Sequence, residues 1–160
     1  MHPLANYSVT LQVPEIGVPL TVAASAPALQ QGDTYRYDLP AARSFALSIS
    51  PMYAVLSGKV DGITVYSYCF TFDTYGGQAA LDHTLQALAL YQELFGPYPH
   101  AALSVVQAEF LDGMEFDGLY FLSRGFYNTY DGTPAGYLAA ISVHETAHQW
   151  WYGLVGNNQA

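Results

Sequence analysis

The interpretation of this chain starts from residues 144–148, His144-Glu145-Thr146-Ala147-His148. Residues four apart lie on one face of a helix, so the rings of His144 and His148 can point at one metal ion. Glu145 is offset by about 100° around the helix, where its carboxylate reaches a water on the metal rather than the metal itself. The spacing therefore predicts a zinc site with two imidazole ligands, room for a third protein ligand, and Glu145 as general base.

The helix that contains this motif is predicted to be buried. It begins near Pro134, runs to about Tyr152 and is apolar on nearly every side. Its apolar residues are Leu138, Ala139, Ile141, Val143, Ala147, Trp150 and Trp151. Two histidines and a carboxylate in a buried helix need polar partners, and a metal ion supplies them. The alternative is a helix with two unrelated histidines and a surface glutamate.

Composition and charge exclude several classes of protein. Hydrophobic residues make up 51% of the 160 residues and charged residues 11%, which excludes a disordered chain or a coiled coil. Thirteen acidic residues against four basic ones give a net charge of -9, which argues against nucleic-acid binding and docking on anionic membranes. An acidic field favours cations, metal ions or amines. No apolar run has the length of a membrane span. Acidity and few lysines fit an extracytoplasmic enzyme, but localisation stays open.

The first seventy or so residues are predicted to form strands. Three stretches alternate apolar and polar side chains with a period of two: residues 7–13, 34–39 and 44–49. The pair Asp61-Gly62 lies between two β-prone runs, residues 52–59 and 63–72, and predicts a hairpin. The single cysteine, Cys69, lies in the second run and is expected to be a small buried residue.

After residue 73 the pattern changes to mixed helix and strand. Apolar positions at helical spacing predict a helix over residues 78–95, which Gly96-Pro97 ends. Two later apolar runs, residues 103–110 and 118–122, are short enough to be strands. This order predicts an α+β fold, with a β-rich lobe over residues 1–73 and the start of an α+β lobe over residues 74–160.

A second group of chemically interesting residues lies upstream of the motif. Four carboxylates occur within nine residues and no basic residue stands among them: Glu109, Asp112, Glu115 and Asp117. One interpretation is a solvated acidic loop, and the other is a carboxylate that receives an amine or a cation. Glu115, between Met114 and Phe116, is the one expected to be partly buried. His83 is expected to be exposed, and His100 to be a turn residue.

Taken together, these residues resemble the M1 family of zinc aminopeptidases, the gluzincin group that includes alanyl aminopeptidases and leukotriene A4 hydrolase. Residues 144–157 are similar to that family's zinc helix and its continuation. Gly113-Met114-Glu115 resembles the core of its exopeptidase motif, although Phe116 stands where the family commonly has Asn. Phe95-Gly96-Pro97-Tyr98-Pro99 resembles the turn after the first helix of its catalytic domain, and residues 1–73 resemble the end of its N-terminal β domain.

The resemblance implies a role for each matching residue. His144 and His148 would bind Zn²⁺, and Glu145 would be the catalytic general base. Glu115 would bind the free α-amino group of a peptide substrate, with Met114 and Gly113 beside it. The strand over residues 118–122 would lie along the substrate backbone as an edge strand. The resemblance also implies a thermolysin-like catalytic domain and a glutamate beyond residue 160 as the third zinc ligand.

These implications define the expected function and its rivals. We expect a zinc metallopeptidase that releases N-terminal residues from peptides, and we expect residues 1–160 to be inactive without the remainder of the parent chain. One rival is a non-catalytic binding or interaction module with a remnant zinc motif. Another is a metal-sensing or storage fold that uses the same histidines.

Overall fold

The computed structural model describes residues 3–156 and shows a mixed α+β fold, as the sequence predicts. Residues 1, 2 and 157–160 lie outside the described residues. They include the start of the predicted first lobe, the end of the predicted second lobe, and Asn157, the last residue of the segment that resembles the M1 zinc helix and its continuation. Seven strands come first: β1 (Ala5–Gln12), β2 (Thr21–Ala24), β3 (Ala28–Gln31), β4 (Thr34–Ala42), β5 (Leu47–Ser50), β6 (Tyr53–Val60) and β7 (Ile63–Phe70). The later elements are α1 (Thr74–Phe95), β8 (Ala102–Ala108), β9 (Gly113–Phe116), β10 (Leu119–Ser123), α2 (Arg124–Asn128), α3 (Tyr137–Ala147) and a π-helical turn (Gln149–Leu154).

Two small antiparallel sheets form the first part of the chain. One has the order β1-β4-β3 and the other pairs β2 with β5. The first two alternating stretches form β1 and β4, except for Val13, which follows the end of β1, and this confirms the prediction of strands there. Tyr37, Leu39 and Ala42 of β4 point inward and form the centre of this part's own core. The third predicted strand is shorter than expected, because only Leu47–Ser50 pairs with β2.

A five-stranded mixed sheet with the order β6-β7-β8-β10-β9 forms the second part. The predicted hairpin joins β6 and β7, and its turn residues Asp61 and Gly62 both have positive φ, at 49° and 84°. Such a turn matches the twist of the two strands. β8 pairs in parallel with β7 and β10, and β9 pairs antiparallel with β10 at the sheet edge. The sheet combines strands from both sides of the predicted lobe boundary, since β6 and β7 precede residue 73 and β8, β9 and β10 follow residue 74. The lobe boundary between residues 73 and 74 stays a prediction.

Helix α1 begins at Thr74, four residues earlier than the predicted start at Gln78. Gly76 and Gly77, in the first turn of the helix, allow it to approach its neighbours closely. A Cβ on Gly77 would collide with the side chain of Cys69, which is fully buried on β7 as predicted. The helix ends at Phe95, before Gly96, in agreement with the prediction. Within residues 3–156 no helix is both long and apolar enough to cross a membrane.

The helix of the histidine motif is shorter than predicted. α3 covers Tyr137–Ala147, and the following turn leaves helical geometry at Trp151 and Tyr152. The cause is a wide turn, in which the N–H of Gly153 donates to the His148 carbonyl at 3.0 Å. Leu138 and Ile141 are buried in the core that α1 and the five-stranded sheet share, whereas Val143 and His144 are exposed. The prediction of a buried helix is therefore correct for one face of α3 and wrong for the face that contains Val143 and His144.

Candidate metal centre

Hydrogen bonds and packing against α1 and the sheet fix the orientation of α3. Thr146, inside the histidine motif, is fully buried, and its hydroxyl donates to the Ser142 carbonyl at 2.7 Å. Its Oγ1 also lies 3.4 Å from the Tyr120 hydroxyl. The Tyr120 hydroxyl, on β10, lies 2.6 Å from Thr84 Oγ1 on α1. Because one face of α3 is held in this way, the face with His144 and His148 is directed away from the core.

His144 and His148 lie together on that outer face. Their Nε2 atoms are 3.1 Å apart, and their ring planes are nearly perpendicular at 87°. Two imidazole nitrogens at about 2.0–2.1 Å from one tetrahedral Zn²⁺ would be about 3.3 Å apart. The distance between the two nitrogens therefore fits a shared metal ion. The predicted ligand pair, together with Glu145, forms a group whose candidate ligand atoms all lie within 4.8 Å of one another.

The other ring nitrogen of His148 determines which tautomer the ring adopts. Nδ1 lies 3.1 Å from the carbonyl oxygen of Trp151. A carbonyl oxygen can only accept a hydrogen bond, so Nδ1 carries the hydrogen and Nε2 keeps its lone pair. A backbone carbonyl behind a ligand histidine is a common arrangement in metal sites, where it orients the ring and raises its basicity.

Glu145 lies behind the two histidines and is buried, with 3% of its surface exposed. Its Oε2 has no hydrogen-bond partner among the described residues. Burial raises the pKa of the Glu145 carboxyl to about 7, His148 opposes the rise, and the charges of Glu115 and Asp112 add to it. A carboxylate with this pKa can both accept and release a proton near neutral pH.

Strand β9 approaches α3 at Gly113. A Cβ on Gly113 would collide with Glu145 Oε1 and would lie 2.7 Å from Glu145 Cδ. Only glycine therefore allows this distance between strand and carboxylate. Gln149 fixes the other end of β9, because its Nε2 donates to the Phe116 carbonyl at 2.9 Å and its Oε1 accepts from the Gly118 N–H at 3.0 Å.

The edge strand beside the motif differs from the predicted one. The segment over residues 118–122 corresponds to β10, which lies between β8 and β9 and is not an edge. β9 is the edge strand, and it contains all three residues predicted to bind substrate, Gly113, Met114 and Glu115. Met114 is 50% exposed, and Glu115 is half-buried near Glu145. The prediction was wrong because the turn at Gly118, with φ of 73°, folds the acidic segment back onto β10.

The four carboxylates of the acidic segment have different surroundings. Glu109 forms an ion pair with Arg124 at 2.7 Å, and Asp117 is 3% exposed. Asp117 Oδ2 accepts hydrogen bonds from the backbone N–H groups of Arg43 and Ser44, both at 3.0 Å. The interpretation as a solvated acidic loop is therefore wrong for Asp117. Its partners lie more than seventy residues away in the sequence, where no local pattern reveals them.

An open cavity of about 360 Å³ lies beside His144. It is lined by Asp112, Tyr137, Ala140, Ile141 and His144. The cavity and the edge strand β9 both adjoin the histidine motif.

The two other histidines within residues 3–156, His83 and His100, are more buried than the sequence indicates. His100 is in a bend, as predicted, but only 8% of its surface is exposed and its ring packs edge-on against Tyr98. Burial lowers the pKa of His100, and the charge of Asp117 opposes this shift. His83 is half-buried on α1 rather than exposed. Neither residue joins the group formed by His144, Glu145 and His148.

Comparison with known proteins identifies no family for this chain. No protein-family model matches the sequence. None of the curated proteins matches it either. The geometry of the centre around His144 and His148 is therefore the basis for assigning a function.

Proposed function

We propose that this chain forms the metal centre of a zinc-dependent peptidase similar to the M1 aminopeptidases, with a thermolysin-like catalytic domain. The observation that supports this most is the pair of Nε2 atoms 3.1 Å apart on His144 and His148, with the buried carboxylate of Glu145 behind them. In this proposal His144 and His148 hold Zn²⁺ together with a glutamate from outside residues 1–160. Zinc supplies Lewis-acid polarisation of a water and of the substrate carbonyl.

Glu145 is the general base in the proposed reaction. Its carboxylate takes a proton from the attacking water while a new C–O bond forms at the peptide carbon. It then delivers this proton to the departing amine nitrogen as the C–N bond breaks. Gly113 restricts the movement of the carboxylate on one side, and the raised pKa allows both transfers near neutral pH.

Glu115 and the edge of β9 bind the substrate in this proposal. An extended peptide pairs with the free edge of β9, as peptides do on exposed sheet edges. The half-buried Glu115 carboxylate receives the peptide's free α-amino group, and the negative charge of the acidic chain favours this cation. Binding of the amino group at Glu115 restricts cleavage to the first peptide bond.

Metal binding by the 160-residue chain is the first test. We expect Zn²⁺ and Co²⁺ to bind weakly to the wild-type chain, because the centre has two imidazole ligands among the described residues, and not to bind to His148→Ala. Glu145→Gln should retain binding, since Glu145 is not a ligand. Isothermal titration measures the Zn²⁺ affinities, and visible absorption follows Co²⁺. Equal binding by wild type and His148→Ala would contradict the proposed centre.

The second test uses a longer protein that contains this chain and continues past residue 160. We expect it to cleave peptides with a free N-terminus and to cleave their N-acetylated counterparts poorly. Glu145→Gln should abolish turnover without loss of zinc. Zinc binding without any turnover would favour the non-catalytic or metal-sensing alternatives. Equal cleavage of free and acetylated peptides would contradict the role of Glu115.

A further inference from the structure

Arg43, in the segment between β4 and β5, contacts the chain immediately after the histidine motif. Its Nε donates to the carbonyl oxygens of Tyr152 and Gly153, both at 3.0 Å. Its Nη2 lies 3.5 Å from the Leu154 carbonyl. These carbonyls belong to the π-helical turn at the end of α3, where a cation is electrostatically favoured. A residue from the first part of the chain thus holds a segment more than a hundred residues away.

Asp117 holds the backbone of Arg43 in place. The buried Asp117 carboxylate accepts hydrogen bonds from the N–H groups of Arg43 and Ser44 and from the Ser44 hydroxyl, at 2.9–3.0 Å. Its other oxygen lies 3.1 Å from the position of a Cβ on Gly153. The Arg43 side chain therefore starts from a fixed backbone and reaches a turn that packs against the same carboxylate.

The turn held by Arg43 has a strained conformation. Tyr152 has φ of 141° and ψ of -56°, a region that residues with a Cβ rarely adopt. Such a conformation persists only where surrounding contacts enforce it. The hydrogen bond from Arg43 to the Tyr152 carbonyl is one such contact, and the bond from the Gly153 N–H to the His148 carbonyl is another.

This turn also contains the hydrogen-bond partner of His148. The carbonyl of Trp151, the residue before Tyr152, accepts from His148 Nδ1 at 3.1 Å. We propose that Arg43 is a positioning residue for the metal centre: it holds the turn that aims the Trp151 carbonyl at His148 Nδ1, and so keeps His148 Nε2 free to bind metal. The inference rests on the proposed zinc centre, but its structural half concerns the metal-free protein and can be tested separately.

The test compares Arg43→Met with Arg36→Met and Arg43→Lys. Arg36, exposed on β4, provides a control that removes the same charge from the same part of the chain. We expect Arg43→Met to weaken Zn²⁺ and Co²⁺ binding about 10-fold, the lower end of what loss of an outer-shell partner costs. Arg36→Met should bind as wild type does. Arg43→Lys, which retains a donor, should recover part of the affinity.

A second measurement needs no metal. Long-range ¹H–¹⁵N correlation spectra of the metal-free protein, recorded about two pH units above the usual imidazole pKa of about 6.5, report the His148 tautomer. We expect the Nδ1–H form in wild type and Arg36→Met and a mixture in Arg43→Met. Either an unchanged Zn²⁺ affinity or an unchanged tautomer in Arg43→Met would overturn the inference, and so would an equal loss of affinity in Arg36→Met.

The two proposals fail in different ways. If wild type binds no metal, the proposed function fails, and the tautomer spectra still decide whether Arg43 positions His148. If wild type binds metal and Arg43→Met binds it equally well, the inference fails and the metal centre stands. If Arg43→Met does not fold, Arg43→Lys decides: reduced affinity with a partly shifted tautomer supports the inference, and wild-type values for both overturn it.

Discussion

Replacement of Gly113 by alanine should destabilise the metal-free protein through one contact, that between β9 and Glu145. The added Cβ would lie 2.7 Å from Glu145 Cδ and 3.0 Å from Cγ, closer still to Oε1. Carbon atoms normally approach no closer than about 3.5 Å, so the strand or the carboxylate must move by roughly 1 Å. Glu145 is 3% exposed and has little room to move. Overpacking of this kind costs about 1–3 kcal/mol of unfolding free energy.

A double-mutant cycle with Glu145→Ala isolates this contact. Alanine at position 145 removes Cγ, Cδ and both carboxylate oxygens, so the Gly113→Ala cost should fall to a few tenths of a kcal/mol, roughly the error of such measurements. The expected coupling energy is therefore about 1–3 kcal/mol. Urea unfolding followed by tryptophan fluorescence, with a chelator present, measures all four proteins. Gly125→Ala is the control, since its nearest atom, Ser123 Oγ, lies at an ordinary 3.4 Å.

The cycle has a clear negative outcome. If Gly113→Ala costs the same free energy in the wild-type and Glu145→Ala backgrounds, the cost arises elsewhere and β9 does not lie against Glu145. The placement of Glu115 near the metal centre would then lose its support, because Glu115 and Gly113 belong to the same strand, β9.

Three further predictions concern groups outside the centre. Because burial lowers the pKa of His100, the unfolded chain binds a proton at this residue before the folded protein does as the pH falls below about 6.5. The free energy of unfolding of the wild type should therefore decrease between about pH 6.5 and the lowered pKa of His100, and His100→Gln should lack this decrease in urea midpoints measured between pH 8 and 5. Identical pH profiles for the two proteins would contradict this prediction. Burial raises the pKa of Cys69 from 9.0 to about 11, so at pH 8 a disulfide reagent should label it at least about 100-fold more slowly in the native protein than in urea, and comparable rates would exclude a buried thiol. Asp117→Asn should reduce the free energy of unfolding by about 2–4 kcal/mol, since the buried carboxylate accepts three hydrogen bonds; the exposed-site control Asp82→Asn should change it by less than about 0.5 kcal/mol, and equal effects would show that only net charge matters.

The sequence by itself determined the features that depend on neighbouring residues. The i, i+4 spacing of His144 and His148 places their rings on one helical face wherever the helix packs. The hairpin at Asp61-Gly62 and the end of α1 at Gly96 follow from local backbone preferences. The α+β class followed from the order of the two periodicities along the chain.

Only the tertiary structure decided which strand lies beside the motif and what holds the motif in place. Alternation shows which side chains face inward, but strand order depends on pairing between distant segments, so β9 rather than β10 became the edge. Gly76 and Gly77 lie in α1 where Tyr127 and Cys69 leave little room for a Cβ. Glycine is likewise required at position 113 by Glu145, thirty-two residues away. Arg43 and Asp117 reach their partners across still longer separations. Hydrogen bonds and close packing of this kind join residues that are distant in the sequence, so the local sequence pattern does not predict them.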